Sequence, residues 1–150
     1  MAAETKLLSE TSLQIERSIP APPETVYRAW LEAETLKRWF APSDDFETII
    51  HRADGKVGGS FKVEMRKPDG SVHIATGSYT ELVPAKRISF TWKWENHPED
   101  GDSVISVDLA PEGKGTKLVF THEQLPTVTS RDNHAKGWVG CLDRLVRAVA

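Results

Sequence analysis

Between Ser12 and Ile19 the chain alternates: Leu13, Ile15, Arg17 and Ile19 fall on one side, and Gln14, Glu16 and Ser18 on the other. A period of two is that of a half-buried strand. Pro20-Ala21-Pro22-Pro23 ends it. Proline has its φ near the helical value and no N–H to satisfy, so it suits the first turn of a helix. Glu24 complements the positive end of that helix. Val26, Ala29, Trp30 and Ala33 then recur at helical spacing and predict a short amphipathic helix. A second helical segment over Ala33–Phe40 carries Leu36, Trp39 and Phe40. It stops before Pro42, which disfavours helical backbone in the residue ahead of it.

From Phe46 to His122 the pattern returns to extended segments broken by turn signals such as Asp54-Gly55, Pro68-Asp69-Gly70 and Glu112-Gly113-Lys114-Gly115. Phe61, Val63 and Met65 share a face, as do Ile88, Phe90, Trp92 and Trp94. Val107 and Leu109 continue the pattern, followed by Leu118, Phe120 and His122. Connections this short require antiparallel neighbours, and a sheet apolar on one face requires a cover. The cover is predicted beyond Pro126, where Thr127, Thr129 or Ser130 can cap a helix that runs to Ala150. Along it Trp138, Cys141, Leu142, Leu145, Val146 and Val149 recur at three- and four-residue intervals. Gly137 and Gly140 within this helix each cost about 1 kcal/mol against alanine, which points to a close backbone or ligand at that level.

The expected fold is therefore α+β: a curved antiparallel sheet of about six or seven strands wrapped around a long C-terminal helix, with two short helices after the first strand. Residues 1–11 are expected as a polar, poorly ordered tail and residues 12–150 as one domain. A sheet gripping one helix leaves a wedge between them, and a cavity belongs there.

Composition adds exclusions. At 150 residues, 39% hydrophobic and 27% charged, the chain can bury a sizeable core. Its net charge of −3, from 19 basic and 22 acidic residues without a single-sign block, argues against a nucleic-acid partner. The single cysteine excludes an internal disulfide. Leu7-Leu8 is far short of a signal-peptide core. No apolar run approaches the roughly 18–20 residues that cross a bilayer, so a cytoplasmic location is the expectation. Exposed sheet edges leave both monomer and homodimer open.

The candidate cavity lining comes from side chains that share the inner face. Trp92 from the sheet and Trp138 from the covering helix lead, because aromatic walls suit flat or apolar molecules. Phe61, Met65 and Phe90 belong to the same face, and Trp39, Cys141 and Leu142 complete the apolar set. His122 is in register with Leu118 and Phe120 and points inward. His134, one helical turn before Trp138, is placed to approach it near the mouth. These histidines, with Glu81 and Tyr79, are the groups that proton transfer would use, against the alternatives of a satisfied core or rim position for His122 and of solvation or an ion pair with Arg87 across the Pro84 turn for Glu81. Cys141 reads as a small buried hydrophobe rather than a thiolate nucleophile. No metal-ligand spacing, phosphate cradle or nucleophile elbow occurs, so no metal, cofactor or catalytic set is assigned.

Several stretches carry a resemblance to a known family. They include Pro20 through Trp30, Leu36 through Pro42, Val57 through Phe61, Met65 through Gly70, Gly77 through Tyr79, Glu81 through Pro84 and Arg87 through Trp92. His134, Gly137-Trp138 and Leu142 through Leu145 close the series, which spans about residues 13 to 149. In these the chain resembles the activator of heat-shock-protein-90 ATPase C-terminal-domain-like proteins, a branch of the START-like, birch-pollen-allergen-like superfamily. The resemblance implies a helix-grip fold and a cavity for a small hydrophobic or lipid-like molecule, with no shared catalytic residues. It also implies two alternatives: a co-chaperone or stress-response interaction protein with a chaperone as partner, and an enzyme of the polyketide cyclase or aromatase kind.

Overall fold

Alternation in the sequence becomes strand pairing in the computed structural model, which describes residues 3–150. The elements in chain order are β1 (Ala3–Ser9), β2 (Ser12–Ile19), α1 (Pro23–Leu31), α2 (Ala33–Trp39), β3 (Glu47–Ala53), β4 (Ser60–Arg66), β5 (Val72–Val83), β6 (Arg87–Trp94), β7 (Ser103–Glu112), β8 (Gly115–Glu123) and α3 (Val128–Val149). The strands form one antiparallel sheet in the order β1-β2-β8-β7-β6-β5-β4-β3. Among the described residues only the β2–β8 pairing is not between strands adjacent in sequence, since α1, α2 and β3–β7 intervene. Register brings Ile15 opposite Phe120 and Phe90 opposite Ile105, so the alternating residues stack on one inner face.

Two expectations about the N-terminus and the sheet are corrected. The sheet has eight strands rather than six or seven, and the extra one, β1, lies in the segment expected as a tail. Met1 and Ala2 of that tail lie outside the described residues. β1 escaped the hydrophobic pattern because it buries almost nothing: Leu7 and Leu8 are adjacent, point to opposite faces and are 54% and 49% exposed. It is held by its backbone pairing with β2, a bond set that any sequence can supply.

α3 crosses the concave face with Leu142 and Leu145 fully buried. Thr127 caps it, its side-chain oxygen accepting from the Ser130 N–H at 3.0 Å. Arg17, the one charged residue on the β2 inner face, is 6% exposed and donates to the Asp143 carboxylate on α3 at 2.9 Å. α1 and α2 meet through Trp30 and Trp39, edge to face with centroids 4.8 Å apart. The Trp39 indole N–H donates to the Ala29 carbonyl at 3.0 Å, which closes the corner between the two helices.

Arg144 of α3 ties α2 to the helix above it. Its guanidinium donates to the carbonyls of Arg38 and Trp39, both at 3.2 Å, and to the Asp44 carboxylate at 3.0 Å. Cations near the free carbonyls of a helix C-terminus are favourable. Two guanidiniums hold the Asp44 carboxyl below the usual range, that of Arg147 first and that of Arg144 second. Arg144→Met keeps the alkyl stem and deletes the bonds. It is expected to cost about 1.5 kcal/mol in urea unfolding, with Arg147→Met costing well below half of that because Arg147 is exposed. Equal losses for the two would show that Arg144 is not the tie.

Candidate functional site

The apolar stripe of α3 runs out toward its N-terminus. From Trp138 onward the helix buries Trp138, Cys141, Leu142 and Leu145. Before it, the residues turned toward the sheet are Thr129, Ser130, Asn133, His134 and Gly137, which are small or polar. They cannot fill the space that Trp138 and Leu142 fill further along, and an open cleft of about 460 Å³ results. Its floor is Met65, Trp92 and Trp94 from the sheet, and its back is Phe40, Trp138 and Cys141. Phe46 and Pro42 close one side. Lys67, His73, His97 and Asp100 stand at the rim. The volume lies in the range of small-molecule sites.

Of the residues expected to line a cavity, Met65, Trp92, His134, Trp138 and Cys141 meet in this cleft. The other five are placed elsewhere. Trp39 and Leu142 are fully buried core. Phe61 and Phe90 pack edge to face at 5.3 Å beside a separate void of about 10 Å³, too small for a ligand. His122 is fully buried behind Trp138. All five do face inward, as alternation requires, but the inner face is longer than the cleft, and α1 and α2 cover much of it. Phe40, Phe46 and Trp94 line the cleft as well. The proline after Phe40 and the apolar face of β6, which Trp94 ends, were the available signals.

Two histidine–tryptophan pairs organise the back of the cleft. The Trp94 indole N–H donates to His134 Nε2 at 2.9 Å, and His134 Nδ1 lies 2.7 Å from the Ser130 carbonyl. An indole can only donate and a carbonyl can only accept, so His134 is neutral with its proton on Nδ1. Further in, the Trp138 indole N–H donates to His122 Nδ1 at 3.2 Å. His122 Nε2 therefore carries the proton and donates to Ser103 Oγ at 2.7 Å, whose hydroxyl donates to the Trp92 carbonyl at 3.4 Å. The two imidazoles meet edge to face, centroids 5.0 Å apart.

Burial drives the His122 pKa well below its ordinary value, and His134 lowers it further. Burial also lowers His134, while the Ser130 carbonyl and the Asp100 charge oppose that shift. Burial pushes the Cys141 thiol up to about 12, so it faces the cleft as a neutral, unreactive group. Of the groups weighed for proton transfer, only His134 reaches the cleft, and both its ring nitrogens are engaged. Tyr79 is buried against Phe61 and Phe90, and burial raises its hydroxyl to about 12. A register shift between Tyr79 and Glu81 turns Glu81 outward, where it accepts from Arg87 at 2.8 Å. The indole N–H of Trp92 is buried without a partner among the described residues. Among the described residues no three His, Cys, Asp or Glu side chains lie close enough together to hold a metal ion.

Comparison with known proteins settles the family. The family described as Activator of Hsp90 ATPase homolog 1-like protein matches residues 20–150. The chain belongs to it. A curated relative, the mouse activator of 90 kDa heat shock protein ATPase homolog 1, is 24% identical over 127 residues, covering 84% of this chain and 33% of the mouse protein. The chain thus spans about a third of that relative's length. A crystal structure of a Chromobacterium violaceum protein is 33% identical, covers 93% of this chain and 96% of its own, and superposes with a TM-score of 0.86. A solution structure of an Aeromonas hydrophila protein described as like the same activator is 31% identical, with coverage of 92% and 91% and a TM-score of 0.78. In this activator-homologue chain every residue of the cleft lies inside the family match. None of its helices is long and apolar enough to cross a membrane, among the described residues.

Proposed function

We propose that this activator-homologue chain binds a small hydrophobic molecule in the cleft between its sheet and α3. The observation that carries the reading is the cleft of about 460 Å³ itself, walled by Phe40, Met65, Trp92 and Trp138. The half-buried Phe46 and Trp94 complete the lining, and their aromatic surface is left exposed to water only at a cost of about 25 cal/mol per Å². A ligand that covers it recovers that energy. The polar rim of Thr127, Ser130, Asn133 and Lys67 orients the ligand's polar end without adding charge to the interior.

Gly137 provides the test. A Cβ built there meets nothing nearer than the Pro42 Cβ at 4.0 Å, so a larger side chain grows into the cleft rather than into the protein. Native mass spectrometry after incubation with an apolar extract of the producing cells is expected to show a discrete added mass. Gly137→Phe is expected to abolish it, weakening binding at least tenfold while the far-UV circular dichroism stays that of the wild type. An adduct that survives the plug would place the ligand elsewhere, and no adduct at all would end the reading.

The mouse relative favours a second reading, a co-chaperone role. It predicts that the chain stimulates the ATPase of a 90 kDa heat-shock protein, and that Gly137→Phe leaves the stimulation intact because the contact lies on the outer surface. Stimulation without any ligand adduct would replace the binding reading with this one.

A further inference from the structure

We propose that Trp94 and His134 form a proton-operated latch on the cleft: a second proton on His134 breaks its bond to the Trp94 indole and loosens the wall that holds the ligand. The latch acts on the molecule proposed above and so rests on that reading.

The bond leaves no room for that proton. His134 Nδ1 already donates to the Ser130 carbonyl, and Nε2 accepts from the Trp94 indole at 2.9 Å. A proton can add only at Nε2, where it would face another N–H that has no lone pair to offer. The pair must then separate. Trp94 can move because it is only half-buried and lines the open cleft. The inner pair is different. Trp138 is 3% exposed and His122 is fully buried, so that bond opens only with the fold. The outer pair therefore has two states within the folded protein, and the inner pair does not.

The surroundings set the direction. His122 of β8 faces His134 edge to face at 5.0 Å and is held neutral by burial. Asp100, on the single 3₁₀ turn Pro98–Asp100, favours the charged form of His134, and the Ser130 carbonyl supports it from α3 itself. Burial opposes both and is the larger influence, so the latched state holds His134 neutral. Trp94 of β6 is flanked by Trp92 at 5.2 Å and by His73 of β5 at 6.1 Å. His73, His97 and Lys67 are the other ionisable groups on the cleft besides Asp100 and Cys141. Opening returns His134 toward its ordinary pKa of about 6.5, so falling pH shifts the population to the open state and weakens whatever packs against the latched Trp94.

The experiment uses N-phenyl-1-naphthylamine, an apolar fluorophore whose charge does not change between pH 7.5 and 5.5. Its Kd for the wild type is expected to rise severalfold across that range, with about tenfold as the ceiling set by one proton taken up over one pH unit below a free histidine pKa, because burial lowers His134 in the latched protein. His134→Gln offers an amide oxygen to the indole but does not titrate. Trp94→Phe keeps an aromatic wall but has no N–H. Both are expected to bring the ratio of the two Kd values close to one, whereas His73→Gln and His97→Gln leave it at the wild-type value. The Trp94 indole resonance in a ¹⁵N–¹H spectrum, identified by its loss in Trp94→Phe, is expected to shift with pH in the wild type and stay constant in His134→Gln. A pH-independent Kd in the wild type, or a wild-type ratio that persists in His134→Gln, overturns the latch. If the probe binds at neither pH, the binding reading fails for it and the indole resonance alone decides the latch: titration upholds it and constancy ends it.

Discussion

Gly140→Ala is expected to destabilise the protein by about 2–3 kcal/mol, while Gly137→Ala, three residues earlier on the same helix, stabilises it by up to about 1 kcal/mol. Both substitutions lower the conformational freedom of the unfolded chain and improve helix propensity by the same amount. The difference lies in what the new methyl meets. At Gly140 it would fall inside contact distance of the Pro42 carbonyl oxygen, with the carbonyl carbon at 2.9 Å and Cα at 3.3 Å. All three are backbone atoms of the loop that follows α2, and they cannot rotate away. That loop is further pinned by Arg144 and by the Thr48 hydroxyl, which donates to the Phe40 carbonyl at 3.0 Å. At Gly137 the nearest atom is at 4.0 Å and the methyl enters the cleft. Thermal unfolding should therefore show a fall of about 8 °C for one variant and a rise of about 2–3 °C for the other, given about 2–4 °C per kcal/mol for a domain of this size. Shifts of the same sign would mean that α3 does not rest on Pro42.

The second large effect is on stability as a function of pH. Burial holds the folded-state pKa of His122 far below that of the unfolded chain, about 6.5. Its contribution is thus fully present above pH 6.5 and is lost as pH falls from there toward the folded value, because the unfolded chain takes up a proton that the folded one refuses. Between pH 7 and pH 5 this one group is expected to remove about 2 kcal/mol of unfolding free energy. His134, lowered in the same direction, adds a smaller loss in the same window. The carboxyls whose pKa is lowered, Asp44, Glu64, Asp69 and Glu99, act the same way but only below their own unfolded values of 3.8 to 4.5. Urea titrations at pH 7, 6 and 5 check this. His122→Gln is less stable at pH 7, since it gives up bonds to Ser103 and Trp138, but its curve should be flatter by about 2 kcal/mol over the window. A wild-type slope unchanged in His122→Gln would assign the proton to another group.

Period two at Leu13–Ile19, Phe61–Met65, Ile88–Trp92 and Leu118–His122 is enough to place each of those strands and choose its inner face, because a strand can bury one side only by alternating. The three-to-four spacing from Trp138 to Val149 does the same for α3, and of its two glycines Gly140 marks the close backbone of Pro42 while Gly137 opens on the cleft. Sequence also contains the reason for the cleft: Thr129, Ser130, Asn133 and Gly137 cannot fill the space over Trp92 and Trp94.

Tertiary structure decided the rest. β1 is a strand because β2 offers it a free edge, and backbone pairing leaves no hydrophobic period to read. Which inward residues face a ligand and which face core depended on where α1 and α2 lie across the sheet. That sent Phe61 and Phe90 into packing and brought Phe40, Phe46 and Trp94 to the cleft. Glu81 points out because one residue of register slips beside Tyr79, a displacement set by pairing with β6. The state of the histidines was the least legible of all. Whether an imidazole is a base, a ligand or a bonded spacer is fixed by what lies within about 3 Å of each nitrogen, and here those partners come from β6, β7 and α3, between 4 and 40 residues away along the chain.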